Sequence, residues 1–300
     1  MQRTQRNQRF QRRRPFKKDE APKDPEEAKR KRDLLEKEAS LDTWNPKTSI
    51  GRQVKAREIT DIDYILDQGK TMLEAEITDT LLLTESELLL IGQSRGKFGG
   101  GQRRVFRQTQ KKTREGNKPK FTTISVVGDK NGHVGIGLGK AKETVPAREK
   151  AVRKAKLNVF KIRRACGSWQ CGCGEPHTIP FAVTGKCGSV IITLMPAPKG
   201  KGLCVHSEIA KILRLAGIQD VWSKTRGQAK NRVNLVYACE KALKQLSIIK
   251  VQPRLENEMN IVDGSYEAKK PKEEEKENGS KKDETGKGSK AKADSKKASK

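Results

Sequence analysis

The chain has 300 residues and a formal net charge of +28, from 65 Lys and Arg against 37 Asp and Glu. Aromatic residues make up 4% and the mean hydropathy is −0.82, which excludes one large apolar core and leaves parts of the chain with little to bury. No apolar run approaches the ~20 residues of a membrane span and the polar N-terminus has no signal-peptide core, so a cytoplasmic protein without membrane contact is expected, its six cysteines free, metal-bound or buried.

Residues 1–40 form a basic arm, with Arg12-Arg13-Arg14, Lys17-Lys18 and Arg30-Lys31-Arg32 among Gln, Pro and Glu. A charged helix over Asp24–Ala39 would have few apolar anchors, so the arm either orders on an anionic partner or serves as a solubilising tail. Residues 41–103 form an N-terminal extension and connector. There, Trp44-Asn45-Pro46 and Ile50-Gly51 suggest an anchored loop, and Ile59–Leu66 a short helix capped by Thr60 or Asp61. Leu81–Leu83 and Leu88–Ile91 are too short to classify, and Gly96–Gly101 is glycine-rich.

Residues 104–162 read as a β-β-β-α unit. The strands are expected at Val105–Lys112, Phe121–Gly128 and His133–Leu138, separated by a turn at Thr113–Asn117 and an Asn-Gly hairpin turn at Asp129–Gly132. A helix follows, capped by Thr144 with Pro146 in its first turn. Ala147, Ala151, Ala155 and Val159 recur every four residues as a core stripe, while Arg148, Lys150, Arg153, Lys154 and Lys156 cover much of the rest. Residues 97–164 carry 20 Lys and Arg against 4 Asp and Glu, whereas residues 264–300 carry 12 against 8. The excess therefore lies on a segment that folds, which points to a structured nucleic-acid surface more than to a basic tail.

Residues 163–177 are a Cys/His linker, and residues 178–250 a second α/β domain. Its expected elements are a hairpin (Ile179–Val183, a Gly185-Lys186 turn, Ser189–Met195), a helix Glu208–Ala216 stopped by Gly217, a strand at Val221-Trp222 and a helix Asn231–Leu246. Residues 251–300 are expected to be a disordered Lys/Glu-rich tail. The fold class is thus α+β: a β-β-β-α RNA-binding unit, then a two-layer α/β domain, with basic disordered tails.

Three motifs invite enzymatic readings. Gly135-Ile136-Gly137-Leu138-Gly139-Lys140 lacks the final glycine of a dinucleotide fingerprint and the Gly-Lys-Ser/Thr of a phosphate loop. Its glycines fit a strand lying close to a neighbouring backbone or to RNA, and Lys140 and Lys142 can meet a phosphate beside a helix N-terminus. His206-Ser207-Glu208 opens like a zinc deaminase but has no Pro-Cys-x-x-Cys downstream. Cys166, Cys171, Cys173 and His177 are zinc-type ligands in uncommon spacing, and reduced cysteines in a packed RNA-facing loop is the other reading. Cys187, Cys204 and Cys239 are expected to be small core residues.

The run Phe121–Glu143, with Ala155–Val159, His177–Phe181, Gly185–Val190, Pro196–Gly200 and Leu215–Ile218, resembles the universal small-subunit ribosomal protein five family. Trp44–Pro46 and Glu76–Asp79 resemble the extension shared by its archaeal and eukaryotic members, and the cysteine cluster resembles archaeal ones. The likeness covers about Leu41 to Leu246; the stretch Gln93–Arg104 and both tails depart from it.

The resemblance implies a double-stranded-RNA-binding-like first domain and a place in the small ribosomal subunit. It implies contacts with ribosomal RNA (rRNA), with ribosomal protein four and other small-subunit proteins, and with messenger RNA (mRNA) where it enters the subunit, together with an influence on translational accuracy. Carried over, the RNA contacts are Arg114, Asn117, Lys118 and Lys120 in a basic loop, Thr113–Lys120, then His133, Lys140 and Lys142. Arg148, Arg153 and Lys154 on the basic helix join them. The expectation is a structural rRNA-binding protein and not an enzyme. It needs no cofactor, and zinc, if bound, is a structural staple. The rivals are a free double-stranded-RNA-binding regulator and a zinc enzyme acting on nucleic acid.

Overall fold

Residues 43–94, 96 and 101–265 are described by a computed structural model; the arm of residues 1–40, part of the glycine-rich connector and residues 266–300 lie outside them. Three short helices open the fold: α1 (Ser49–Lys55), α2 (Ile62–Asp67) and α3 (Ala75–Leu81). Thr48 Oγ1 caps α1 by accepting the Gly51 amide at 3.1 Å, and Asp61 is the N-cap residue of α2 without a side-chain bond. Glu74 gathers the entry loop by accepting Trp44 Nε1 and the Lys47 and Thr48 amides at 2.7–3.0 Å. Val54, Ile62, Ile65, Met72 and Ile77 close a small core that takes in Val159 from further along the chain.

The next segment is a five-stranded sheet rather than three strands. It comprises β1 (Glu85–Leu88), β2 (Arg107–Thr113), β3 (Gly116–Gly128), β4 (His133–Ala141) and β5 (Val159–Lys161), with α4 (Thr144–Leu157) before β5. The order is β1-β3-β4-β5, and β2 pairs with the other end of β3. β1 and β5 span four and three residues, too short for an alternation to be read. The turn after β3 also differs. A two-residue Asn-Gly turn would put positive φ on Asn131 and Gly132; here Lys130 and Gly132 carry it. Asp129 sets that geometry by accepting the amides of Asn131 and His133 at 2.7 and 3.1 Å. The N-cap of α4 is Glu143, one residue before the expected Thr144, again without a side-chain bond.

The three glycines of β4 lie against α4. A Cβ on Gly135, Gly137 or Gly139 would collide with the backbone of Ala155, Ala151 or Ala147, the fully buried stripe of the helix. Bare backbone on the strand and methyl groups on the helix let the two approach closely, and Thr123 Oγ1 donates to Ala147 O at 2.9 Å. Gly137→Ala should therefore destabilise the protein by about 1–3 kcal/mol, read as a lower urea midpoint. Gly172→Ala, where a Cβ meets open space, should leave the midpoint unchanged.

The second sheet comprises β7 (Val183–Cys187), β8 (Val190–Pro196), β9 (Leu203–Cys204) and β10 (Val221–Arg226), in the order β7-β8-β10-β9. Helix α6 (Arg232–Ile248) packs on β7 and β8, while α5 (Ser207–Leu215) packs on α6 and against β3 and β4 of the first sheet. The β7–β8 turn falls at Gly188-Ser189, not at Gly185-Lys186. Gly185 pairs with Ile192 inside the ladder, where a side chain would strike Ala238 O of α6. The expected two domains share one core: Ile124, Val126 and Ile136 of the first sheet pack in one cluster with Ile192, Leu213 and Leu243. Glu208, buried in α5, joins both halves by accepting the Leu90 amide at 2.8 Å and pairing with Arg232 at 3.1 Å.

Residues 251–265 are not tail. They form α7 (Pro253–Met259) and β11 (Val262–Asp263), and β11 pairs with β6 (Arg163–Arg164) of the linker. Local composition gave no sign of this because the partner lies about a hundred residues upstream. Among the described residues no helix is long and apolar enough to cross a membrane.

Candidate nucleic-acid interface

Beyond the core, β2 and β3 continue as a two-stranded ribbon. Thr113 pairs with Gly116 around the turn Arg114-Glu115, and Gly116 supplies φ of 111°. The expected basic loop Thr113–Lys120 is therefore mostly strand, with only its tip a turn. This matters because a strand sorts side chains by face. In the register Lys111 lies opposite Lys118, Thr109 opposite Lys120, and Arg107 and Lys140 both opposite Thr122. Paired residues share a face and so do alternate residues. Arg107, Lys111, Lys118, Lys120 and Lys140 therefore line one exposed face, continuous with the side that deeper in the sheet buries Ile124 and Val126.

Lys111 directly opposite Lys118 is repulsive in isolation, and one neighbouring carboxylate, Glu115 at 2.7 Å from Lys118, is too exposed to offset it. An edge-to-face pair, Phe106 on Phe121 at 5.6 Å, fixes the root of the ribbon.

The other expected contacts divide. Arg114 is at the exposed tip and Asn117 is exposed on the opposite face of the ribbon from Lys118. Lys142 precedes α4, and Arg148, Arg153 and Lys154 are exposed along it. His133 is a correction: its ring is 1% exposed, so it is not a surface RNA contact. Nδ1 and Nε2 lie 2.7 and 2.9 Å from Asp129 and Asp63. Burial alone would lower its pKa, but bonds to the two carboxylates outweigh this and raise it to about 9. Arg107 and Lys111 were missed, although the spacing along β2 held the signal once the register is known.

The linker brings its four candidate ligands together. Cys166, Cys171, Cys173 and His177 place their ligand atoms within 4.8 Å of one another. Cys173 Sγ is 3.6 Å from Cys166 Sγ, and Cys171 Sγ 3.7 Å from His177 Nε2. His177 turns Nδ1 to Asp220 at 2.9 Å, both groups being buried. Backbone amides of Lys199 and Cys173 lower the Cys171 thiol to about 6, while burial raises that of Cys166 to about 11. Asp220, 43 residues from His177 in sequence, was missed.

Of the remaining cysteines, Cys239 is fully buried as expected, Cys187 is half-buried, and Cys204 is exposed at the outer strand β9. His206 caps α5 by accepting the Glu208 amide, and Glu208 is held in its ion pair with Arg232, so that motif is structural.

Comparison with known proteins matches this layout. The family described as "Ribosomal protein S5, N-terminal domain" matches residues 105–163, and "Ribosomal protein S5, C-terminal domain" matches residues 185–259. "Small ribosomal subunit protein uS5" of Nanoarchaeum equitans is 50% identical over 215 residues, covering 71% of this chain and 92% of that protein. Its counterpart in Methanocaldococcus jannaschii is 44% identical over 226 residues, 75% of this chain and 97% of the relative. That of Methanothermobacter thermautotrophicus is 44% identical over 216 residues, 72% and 93%. The two family descriptions fall in order on the two sheets, and the similarity runs nearly the whole length of archaeal relatives: the chain belongs to the uS5 family of small-ribosomal-subunit proteins, in its archaeal form.

Proposed function

We propose that the protein is a structural constituent of the small ribosomal subunit in the cytoplasm. It binds rRNA through the basic face of the β2–β3 ribbon and the exposed side of α4, and performs no catalysis. The single observation that carries this is the alignment of Arg107, Lys111, Lys118, Lys120 and Lys140 on one face. A row of cations on a rigid ribbon neutralises crowded phosphates, which supplies affinity, while the shape of A-form RNA supplies specificity. The first sheet with α4 acts here as a double-stranded-RNA-binding-like module.

Finer roles follow from the family resemblance. They are contact with ribosomal protein four and other small-subunit proteins, a position beside mRNA where it enters the subunit, and an influence on accuracy through the tip at Arg114.

Sedimentation of a native lysate through sucrose gradients across a salt series tests the reading. Co-migration with the small subunit, persisting at salt that strips loosely bound basic proteins, is expected. Migration at the top of the gradient would instead support a free double-stranded-RNA-binding regulator.

A further inference from the structure

We propose that Cys166, Cys171, Cys173 and His177 hold one Zn2+ in a closed four-ligand site, and that this ion staples the end of α7 to the linker. The fit is geometric. With Zn–S about 2.3 Å and Zn–N about 2.0–2.1 Å, the edges of a tetrahedron are about 3.8 Å for S···S and about 3.6 Å for S···N. The Cys173–Cys166 and Cys171–His177 separations, 3.6 and 3.7 Å, are such edges. A disulfide would need its sulfurs at about 2.05 Å. A two-iron cluster would need its ligands spread across two metals, wider than a set lying within 4.8 Å permits.

The fold builds this arrangement from outside the loop. Ala165 and Thr178 exchange both backbone hydrogen bonds, at 2.9 and 3.0 Å, which brings the two ends of the ligand loop together. Asp220 accepts from His177 Nδ1, fixing the tautomer that presents the Nε2 lone pair to the sulfurs. Asp220 is itself fixed: its Oδ1 accepts the Gly202 amide at 2.7 Å and its backbone oxygen accepts from Thr178 Oγ1. This is the carboxylate–histidine–metal relay expected around a bound zinc. All three sulfurs bind as thiolates, any remaining thiol protons passing to solvent, and four protein ligands leave no position for water, so the site is structural and not catalytic.

The staple follows from two contacts. The Cys166 amide donates to Met259 O at 3.0 Å, and Asn260 Nδ2 donates to Gly174 O at 2.5 Å. Cys166 is itself a ligand and Gly174 lies inside the ligand loop, so losing the metal loosens the end of α7 at Met259 and Asn260, while β11 keeps its pairing with β6.

The test uses the full-length chain, purified reduced and reconstituted with Zn2+ alone. One zinc per chain by mass spectrometry is expected. Replacement by Co2+ should give the intense visible bands of tetrahedral coordination with thiolate charge transfer. Stoichiometry near zero, or the weak spectrum of six-coordinate cobalt, would overturn the site.

Asp220→Asn keeps all four ligands and should weaken zinc affinity by about 10–100-fold; unchanged affinity would remove Asp220 from the relay. Cys171→Ser should lose the metal and Cys204→Ser should keep it, and equal zinc in both would overturn the assignment. Should Cys171→Ser fail to fold, chelation of the unaltered chain supplies the readout. Removing zinc should speed amide exchange in residues 259–261 by on the order of tenfold, whereas unchanged exchange there would overturn the staple.

Discussion

Replacing Lys111, Lys118 and Lys120 together by alanine is expected to lower affinity for rRNA by about two to three orders of magnitude near 0.1 M salt. The same variant should flatten the slope of log K against log salt by about 2 to 3, because each lost phosphate contact removes roughly 0.7–0.9 from it. All three side chains are exposed and none joins the core, so thermal stability should be unchanged or should rise slightly as the Lys111–Lys118 repulsion goes. Two comparisons make the result specific. Asn117→Ala, a neutral residue on the opposite face, should leave the salt slope alone. Removing three exposed lysines elsewhere, Lys70, Lys224 and Lys241, lowers net charge equally but should cost far less affinity. Equal losses from both triples would mean that net charge binds the RNA and that the ribbon has no special part.

This distinction between face and total charge was only half legible in the sequence. The long elements were readable because their periods repeat: β3 with its run of Thr, Ile and Val, α4 with an alanine every four residues, and α6 ending close to its expected bound. What failed was anything completed by a distant partner. β1 and β5 are strands because β3 and β4 are there to pair with them, and β11 because β6 is. Gly185 looked like turn chemistry, yet it is a close approach to Ala238, 53 positions along the chain. The ligand set of the linker was visible as residue types, since all four ligands lie within twelve residues. The Asp220 that orients His177 was not, because no local pattern marks it. His133 shows the same failure most clearly. Its neighbours spell a hairpin turn, which argues for exposure, and the carboxylate that buries it arrives from α2, 70 residues upstream.

That burial gives the protein a pH dependence of the opposite sign to a histidine buried neutral. His133 bridges Asp63 and Asp129 as a cation, with its pKa raised to about 9 from an ordinary 6.5, while its bonds hold both carboxylates below their usual range against the opposing effect of burial. A group whose folded pKa is raised stabilises the fold fully below its unfolded pKa and loses that contribution as pH climbs through the folded one. Stability from this triad should thus be complete near pH 6 and decline between about pH 6.5 and 9, by on the order of 3 kcal/mol. On the acid side it should fall again only as Asp63 and Asp129 protonate, below about pH 4.

Urea unfolding of the unaltered chain and of His133→Ala across pH 5–9.5 measures this. The difference between the two cancels the cysteine thiols that also titrate in the alkaline range. At pH 6 the variant, left with two buried carboxylates facing each other, should be about 3–5 kcal/mol less stable. The gap should narrow as pH rises, because deprotonation removes from the native chain the same charge that the substitution removes outright. A gap that widened toward pH 9 would mean that the imidazole is neutral in the fold and that the two aspartates are held apart by something other than its charge.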